Sequence, residues 1–458
     1  MTEATTVQDS RFASQAQKPE PGYFRVGVGA GFAGDRYEPA RLLARFGALD
    51  ALVFECLAER TIGLAHARLR RSGSGFDERI VRRLRETLPL LNGSAVVTTN
   101  AGAADPVGAA NAVRDACKAD RPIRVAAITG DSVLERLDRR STRIWGSELS
   151  LADLGDRVLS ANAYLGAGPI TDALLNGANV VLTGRCGDAA LFSAPLVARF
   201  GWPTDDLRLQ AAGTLVGHLL ECGGQLTGGY FSDPGFKDIS QAWNIGFPYA
   251  DVGANGDAIY SKLPGTGGNL ERATVLEQLL YEIDDASAYL TPDVTLDLTE
   301  VNIEELADGR VTVTGALGSA APETLKASVA VDDGFAGVAE ISYAGPGCMD
   351  RARLAADIIK TRWQEVHRLE GAPAVSFVGV GSTRPWATPG EPSHEVRLRF
   401  SVRSLDEIAA RTLCDEVEAL YTNGPASGGG VTGSVTPAVG VVSIDVPRDV
   451  VEPKVTFV

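Results

Sequence analysis

A short stretch of the sequence, residues 213–233, contains several side chains that could do chemistry together. Its apolar residues recur at helical spacing and predict a buried helix. His218, Glu221 and Cys222 follow one another at intervals that place all three on one neighbouring surface of that helix. A glycine pair then predicts the end of the helix, and a second pair brings Tyr230 close behind. This layout is typical of a functional site.

The direction of this predicted helix decides which chemistry its end can support. The carboxyl end of a helix carries negative partial charge, and together with Glu221 it raises the pKa of the Cys222 thiol, which disfavours a nucleophilic thiolate. The same field favours a protonated His218, which suits a general acid or an anchor for a carboxylate. We therefore expect His218 and Glu221 to exchange protons in catalysis and Tyr230 to polarise a carbonyl. Structural packing of these side chains is the alternative.

Length and composition limit the class of protein. A chain of 458 residues exceeds the roughly 50–250 residues typical of one domain, so two domains are expected. The net charge of -15 argues against binding to nucleic acid or to an anionic membrane. The six cysteines are scattered, no signal peptide precedes them, and no apolar run reaches the ~18–20 residues of a membrane helix. We expect a cytoplasmic protein with reduced cysteines.

The apolar pattern divides the chain into three parts. Residues 1–22 are polar, lack apolar periodicity and predict a disordered tail. Over residues 23–293, strand-like runs alternate with helical ones, which predicts an α/β domain with a mostly parallel sheet and flanking helices. Residues 294–458 are mostly strand-like with two helical segments and predict an α+β domain.

Polar residues repeatedly follow the predicted strands of the α/β domain, where ligands of such sheets bind. Arg185 could hold a substrate carboxylate in a bidentate grip, or it could pair with Asp188 instead. Carboxyl groups at these ends could act as acid and base, or ligate a hard divalent metal, although no compact metal motif is present. Helix capping is the alternative for each polar residue. We expect catalytic roles for Asp35 and Glu55, and substrate binding by Gly31, Asn100, Asp131, Asn162 and Arg185.

The turn after the first predicted strand resembles a dinucleotide fingerprint. Residues 29–34 read GAGFAG, which matches GxGxxG, and Glu55 lies 21 residues further on at the end of the next strand. However, Asp35 follows the last glycine at once, and Glu38 marks the start of the helix. A carboxylate beside the phosphate site would repel the phosphate. The spacing therefore favours a glycine-rich turn that presents Asp35, with NAD or FAD binding as the alternative.

Several conspicuous segments extend from about residue 25 to about residue 450: GAGFAGDR, ALVFECLAERT, ITGDS, SANAYLGAGPI, GRCGDA, HLLECGGQLTGGYFSDPG and LYTNGPASGGG. Together they resemble the acyclic terpene utilisation (AtuA) family. The resemblance covers nearly the whole chain. It implies a role in the breakdown of branched isoprenoid acids, and hence in acyl or carboxylic-acid metabolism.

These observations lead to one expected function and two alternatives. The many acid–base groups, without a convincing nucleophile or cofactor motif, favour an enzyme that acts on a small carboxylic acid or acyl thioester by hydratase or lyase chemistry. The alternatives are a nicotinamide-dependent oxidoreductase and a non-catalytic subunit that binds acyl ligands within an enzyme complex. The cofactor stays open between a divalent metal and the CoA moiety of the substrate. A homo-oligomer is expected.

Overall fold

A computed structural model describes residues 13–117, 123–383 and 394–458, which fall into two compact units. Unit 1 comprises Met1–Ala330 and Val441–Val458, and unit 2 comprises Val331–Gly440. The chain therefore changes unit at residues 330 and 440, whereas the sequence pattern places a boundary at 293/294. The difference arises because most strands that follow residue 294 pair within the sheets of unit 1.

The helices and strands alternate through the first half of the chain, and strands dominate the second half. The helices within the described ranges are α1 (Glu38–Phe46), α2 (Glu59–Ser72), α3 (Arg79–Thr87), α4 (Pro106–Ala116), α5 (Gly168–Leu175), α6 (Ala190–Phe200), α7 (Leu207–Glu221), α8 (Arg272–Leu279), α9 (Cys348–Thr361) and α10 (Glu407–Asn423). The strands are β1 (Phe24–Ala30), β2 (Ala51–Phe54), β3 (Val96–Thr99), β4 (Val125–Thr129), β5 (Val158–Ala163), β6 (Val180–Thr183), β7 (Pro248–Val252), β8 (Ala258–Lys262), β9 (Tyr289–Leu290), β10 (Thr295–Asp297), β11 (Asn302–Glu305), β12 (Val311–Thr314), β13 (Leu317–Ser319), β14 (Thr324–Ala344), β15 (Ala374–Val378), β16 (Glu395–Ser404), β17 (Gly428–Pro447) and β18 (Lys454–Phe457).

The largest sheet of the described residues has ten strands in the order β11-β12-β8-β7-β1-β2-β3-β6-β4-β18. Its middle strands β1, β2, β3, β6 and β4 are parallel. The flanking strands pair antiparallel, so the sheet is mixed rather than mostly parallel. The reason is that parallel strands need crossover connections, whereas β7–β8 and β11–β12 are hairpins that add antiparallel edges.

The sequences of the parallel strands explain their position in the middle of unit 1. β2 and β6 are buried at every residue, and β1 and β4 at all but one terminal residue. Such continuous apolar runs are typical of strands with helices on both faces. The strand-like run at 157–164, expected in the same sheet, forms β5, which instead pairs with β14.

The part of the N-terminal segment that the structure describes contacts the rest of unit 1 at a few residues. The expected disordered tail covers 1–22, of which 1–12 lie outside the described residues. Ala13 and Ala16 are buried, and the Ser14 N–H donates to the Pro264 carbonyl at 2.9 Å. Within residues 13–22, these two small apolar side chains contact the core, whereas most of the other side chains are exposed.

Unit 2 is built on a sheet with the strand order β15-β16-β14-β17. Helices α9 and α10 pack against β16, and their apolar side chains form a core with it. The succession strand, helix, two strands, helix, strand with this order is the split βαβ topology, also called ferredoxin-like.

Candidate functional site

The carboxyl ends of β1 and β2 meet the carboxyl end of α7 at one cavity of about 960 Å³, whose lining residues all belong to unit 1. This is the edge of the sheet at which ligands of α/β proteins bind. The cavity brings together predicted site residues that are far apart in sequence: Gly31, Asp35, Glu55, Arg185, His218, Glu221 and Tyr230.

Close packing of Gly31 against the end of α7 makes this convergence possible. A Cβ atom on Gly31 would lie 2.4 Å from the carbonyl carbon of Cys222, and real Cβ atoms do not come so near. The glycine therefore serves the contact between β1 and α7, a role that the sequence motif did not specify.

The turn that follows β1 is closed by its own carboxylate. Asp35 Oδ2 accepts a hydrogen bond from the Gly31 N–H at 3.0 Å, and Oδ1 accepts one from the Arg36 N–H at 2.9 Å. Burial raises the pKa of Asp35. In a dinucleotide site these N–H groups would face the pyrophosphate at a helix N-terminus, but here they bind Asp35, and α1 starts only at Glu38. This geometry argues against the dinucleotide alternative.

His218 and Glu221 form a hydrogen-bonded pair one turn apart on α7. His218 is 1% exposed, and its Nε2 donates to the Leu279 carbonyl at 2.9 Å. Since a carbonyl only accepts, Nε2 carries hydrogen, and Nδ1 lies 3.1 Å from Glu221 Oε1. Burial lowers the pKa of His218, but the hydrogen bond and charge of Glu221 more than offset this, so that the pKa is raised overall. Burial also raises the pKa of Glu221. The pair therefore holds a proton tightly.

Glu55 and Asp188 form a second pair of carboxyl groups, linked by the amide of Asn100. The Asn100 amide donates to Asp188 Oδ1 at 3.1 Å and to Glu55 Oε1 at 3.4 Å. Burial and then the charge of Asp188 hold the pKa of Glu55 well above its ordinary value. Burial also raises the pKa of Asp188, but Arg185 opposes that shift by donating to its oxygens at 2.8 and 3.0 Å. Glu55 is therefore the better proton holder of the two.

Arg185 is committed to protein partners. Its guanidinium is buried, pairs with Asp188 and also donates to the Leu57 carbonyl. The ion pair, which the sequence left as the alternative to a carboxylate grip, is thus the arrangement present. Its Nε has no hydrogen-bond partner among the described residues.

Three predicted substrate-binding residues lie behind the cavity wall and do not line it. Asn100 accepts the Cys56 N–H at 2.6 Å in addition to its two carboxyl contacts. Asp131 Oδ2 accepts from the Asn162 amide at 2.8 Å and from the Arg185 N–H at 2.9 Å. They support the strand ends, because buried polar groups at these ends find one another before they reach the cavity.

Tyr230 is exposed, whereas Cys222 is partly buried. Tyr230 is 84% exposed at the rim, has a φ of 65°, and contacts the Tyr281 ring edge to face at 6.3 Å between centroids. Burial and the charge of Glu221 raise the pKa of the Cys222 thiol, in line with the argument against a thiolate nucleophile.

Two further lining residues, Tyr164 and Lys326, were not among the candidates. The Tyr164 ring lies near two cations: its centroid is 4.2 Å from Arg185 Cζ and 5.2 Å from Lys326 Nζ. Glu59 Oε1 accepts from Lys326 Nζ at 2.6 Å and from the Tyr164 hydroxyl at 2.9 Å. Tyr164 is the last residue of the strand-like run at 157–164, and its position at a predicted strand end could have marked it. Lys326 lies within an ordinary strand pattern, and nothing in the sequence marks it.

The parts of the chain that the structure describes lack two arrangements. No group of three or more His, Cys, Asp or Glu side chains is arranged there to hold a metal ion. No helix there is long and apolar enough to cross a membrane.

The fold and the cavity define an α/β protein with a carboxyl-rich pocket at the end of a mixed sheet. The family model described as acyclic terpene utilisation family protein AtuA matches residues 24–457. The chain belongs to the acyclic terpene utilisation family AtuA, which confirms the resemblance noted in its sequence. Family membership indicates a role in acyclic terpene utilisation. No curated protein and no solved structure matches the chain.

Proposed function

We propose that this protein is an enzyme that adds water to, or removes it from, a carboxylic acid or acyl thioester by acid–base chemistry in the cavity of unit 1. The observation that carries the proposal is the presence of two proton-holding pairs in one cavity, Glu55 with Asp188 and His218 with Glu221. The charge of Asp188 raises the pKa of Glu55 and of Glu221, so the two pairs interact.

Hydration of a carbon–carbon double bond needs a base that takes a proton from water and an acid that gives a proton to carbon. Groups with raised pKa values can do both at neutral pH, because they hold a proton yet can release it. Glu221 faces the cavity and delivers the proton to the α-carbon, while buried His218 shares that proton and holds the carboxyl group in place. Asp188, kept ionised by Arg185, takes the proton from water. Dehydration runs through the same steps in reverse.

Glu55 contacts the substrate directly in this scheme, and Asp35 has a positioning role. Protonated Glu55 donates a hydrogen bond to the carbonyl oxygen of the substrate, which stabilises the charge that develops there. Asp35 fixes the turn beside Gly31 and thereby the wall next to Glu221. A neutral carbonyl group suits this part of the cavity. An ionised carboxylate of a ligand at the same place would be repelled by the acidic side chains beside it.

The test uses 3-methylbut-2-enoate and its CoA thioester as substrates, in D₂O, with mass spectrometry and NMR to detect added water and deuterium at the α-carbon. We expect Glu221→Gln to lower turnover by about 10²-fold or more, since general acid–base groups contribute about that much. Glu277→Gln, an exposed glutamate outside the cavity, is the control and keeps full turnover. Full activity of Glu221→Gln, or no deuterium incorporation with either substrate, would overturn the proposal.

A further inference from the structure

The end of the cavity next to β14 differs chemically from the rest of its lining. The Lys326 ammonium lies there between two aromatic rings, 5.7 Å from the Trp145 centroid and 5.2 Å from the Tyr164 centroid. The Lys326 side chain is 36% exposed. Carboxyl groups occur throughout the cavity lining, and where no lysine is near they would repel an anion. They belong to Asp35, Glu55, Glu59, Asp188, Glu221, Glu282, Asp293 and Asp445.

Two other cations line the cavity, but neither is placed to receive an anion within it. Arg185 is 2% exposed and pairs with Asp188. Arg36 lies on the exposed turn at the rim and donates to the Trp243 carbonyl at 3.0 Å. The ammonium of Lys326 has three N–H donors, and the acceptor it has within the described residues is Glu59 at 2.6 Å. Donors therefore remain for a ligand.

The walls around Lys326 are held in place by hydrogen bonds. Asp445 Oδ2 accepts from Trp145 Nε1 at 2.9 Å, and its Oδ1 accepts from the Thr324 hydroxyl at 3.4 Å. The Tyr164 N–H donates to the backbone carbonyl of Lys326 at 2.9 Å. A site that is ordered before binding loses less entropy when the ligand arrives, which favours affinity.

Resting on the proposed function, we propose that Lys326 binds the anionic oxygen group of the substrate. That group is the carboxylate of a free acid or a phosphate of an acyl-CoA thioester. Lys326 and Arg185, which holds the base Asp188, both lie against the Tyr164 ring. The anionic group therefore binds next to the part of the cavity that contains Asp188. In this proposal Lys326, and not Arg185, is the residue that selects an acidic substrate.

The chain contains a closely matched control for Lys326. Lys237 also pairs with a glutamate at 2.6 Å, Glu277, and lies 4.8 Å from the centroid of the Phe231 ring. Its side chain is 45% exposed, comparable with 36% for Lys326, but it does not line the cavity. Any general effect of removing a paired lysine from an aromatic surface is therefore shared by both variants.

The experiment is calorimetric titration with 3-methylbutanoate, with its neutral twin 3-methylbutanamide, and with coenzyme A. We expect Lys326→Met to weaken binding of an anionic probe by about tenfold or more, Lys326→Arg to restore it, and Lys237→Met to leave it unchanged. Glu59→Gln removes the competing carboxylate and should strengthen binding several-fold. A purely structural role of the Lys326–Glu59 pair would not shift affinity in opposite directions.

The outcomes separate this inference from the proposed function. If 3-methylbutanoate responds to the variants, the anion is the carboxylate of a free acid; if coenzyme A responds, it is a phosphate of the thioester. Equal affinity of wild type and Lys326→Met for both probes, or binding of neither probe to wild type, overturns the inference. Loss of the predicted turnover alone, with these affinity changes intact, overturns the hydratase proposal and leaves the anion site standing.

Discussion

At the scale of single residues, the site depends on the missing side chain at residue 31. β1 can end beside α7 only because Gly31 allows the Cys222 backbone to approach. The same contact sets the distance between the Asp35 turn and Glu221 at the end of the helix. The relative positions of Asp35 and Glu221 therefore depend on the packing of Gly31 against the end of α7.

We expect Gly31→Ala to destabilise the protein by about 1–3 kcal/mol, because the new methyl group would overlap backbone atoms that cannot rotate away. Equilibrium urea unfolding measures this. Gly34→Ala is the control: its Cβ would meet the ring of exposed Phe32, a side chain that can move, and the loss should be much smaller. Equal stability of Gly31→Ala and wild type would show that β1 and α7 do not pack as described.

Residue-level prediction from the sequence succeeds where local geometry decides. The spacing of His218 and Glu221 predicts neighbours on one helix face, and their side chains are hydrogen-bonded. The local sequence pattern does not decide which strand-end residues face the cavity. Asn100 and Asp131, for example, lie behind its wall and bond to other buried polar groups. Lys326 could not be predicted at all, since its place depends on the pairing of β14 with a strand that precedes it by about 160 residues.

At the scale of elements, a buried ion pair joins the parallel middle of the large sheet to its antiparallel flank. Arg25 on β1 donates to both carboxylate oxygens of Asp251 on β7, at 2.6 and 2.7 Å. The same guanidinium donates to the carbonyls of Gln17 and Gly47, and it stacks on the Tyr249 ring at 4.3 Å from the centroid. One side chain thus connects two strands, the N-terminal segment and the end of α1.

We expect Asp251→Asn to reduce the free energy of unfolding by about 3–5 kcal/mol, because the Arg25 charge would stay buried without its counterion. Urea titration of the variant and wild type gives the difference. Asp308→Asn breaks the exposed pair with Arg310, and its loss of stability should be much smaller. If the two variants lose the same amount, the Arg25 pair does not hold these elements together.

The element scale also shows why the sheet could be predicted only in part. Alternation of strands and helices before residue 184 correctly indicated parallel strands, because a helix between two strands returns the chain to the same end. The exception is β5, which pairs with β14 although its local sequence resembles that of its neighbours. Strand partners that lie far apart in sequence, such as β4 and β18, leave no local pattern to read.

At the scale of the whole molecule, acidic residues are found in the interior of the protein as well as at its surface. The net charge is -15, and burial raises the pKa of Glu55, Asp131 and Glu221 inside unit 1. Each such group binds its proton more tightly in the folded state than in the unfolded state. Folding therefore favours the protonated forms, and stability from these groups is complete below their ordinary pKa values and falls as pH rises through the raised ones.

Replacement of Glu55 by glutamine should reveal this linkage. Between the ordinary pKa of about 4.5 and the raised one, wild type loses up to about 1.4 kcal/mol per pH unit through this group, and Glu55→Gln does not. The stability of the variant relative to wild type should thus rise with pH in urea titrations between about pH 4 and about pH 8. Glu59 has a lowered pKa, because Lys326 outweighs the effect of burial, so Glu59→Gln should show the opposite sign. The stability deficit of Glu59→Gln relative to wild type should disappear as pH falls through the lowered pKa of Glu59. A flat difference for Glu55→Gln would mean that its carboxyl group is ionised in the folded protein, and the acid–base assignment in the cavity would then have to be reversed.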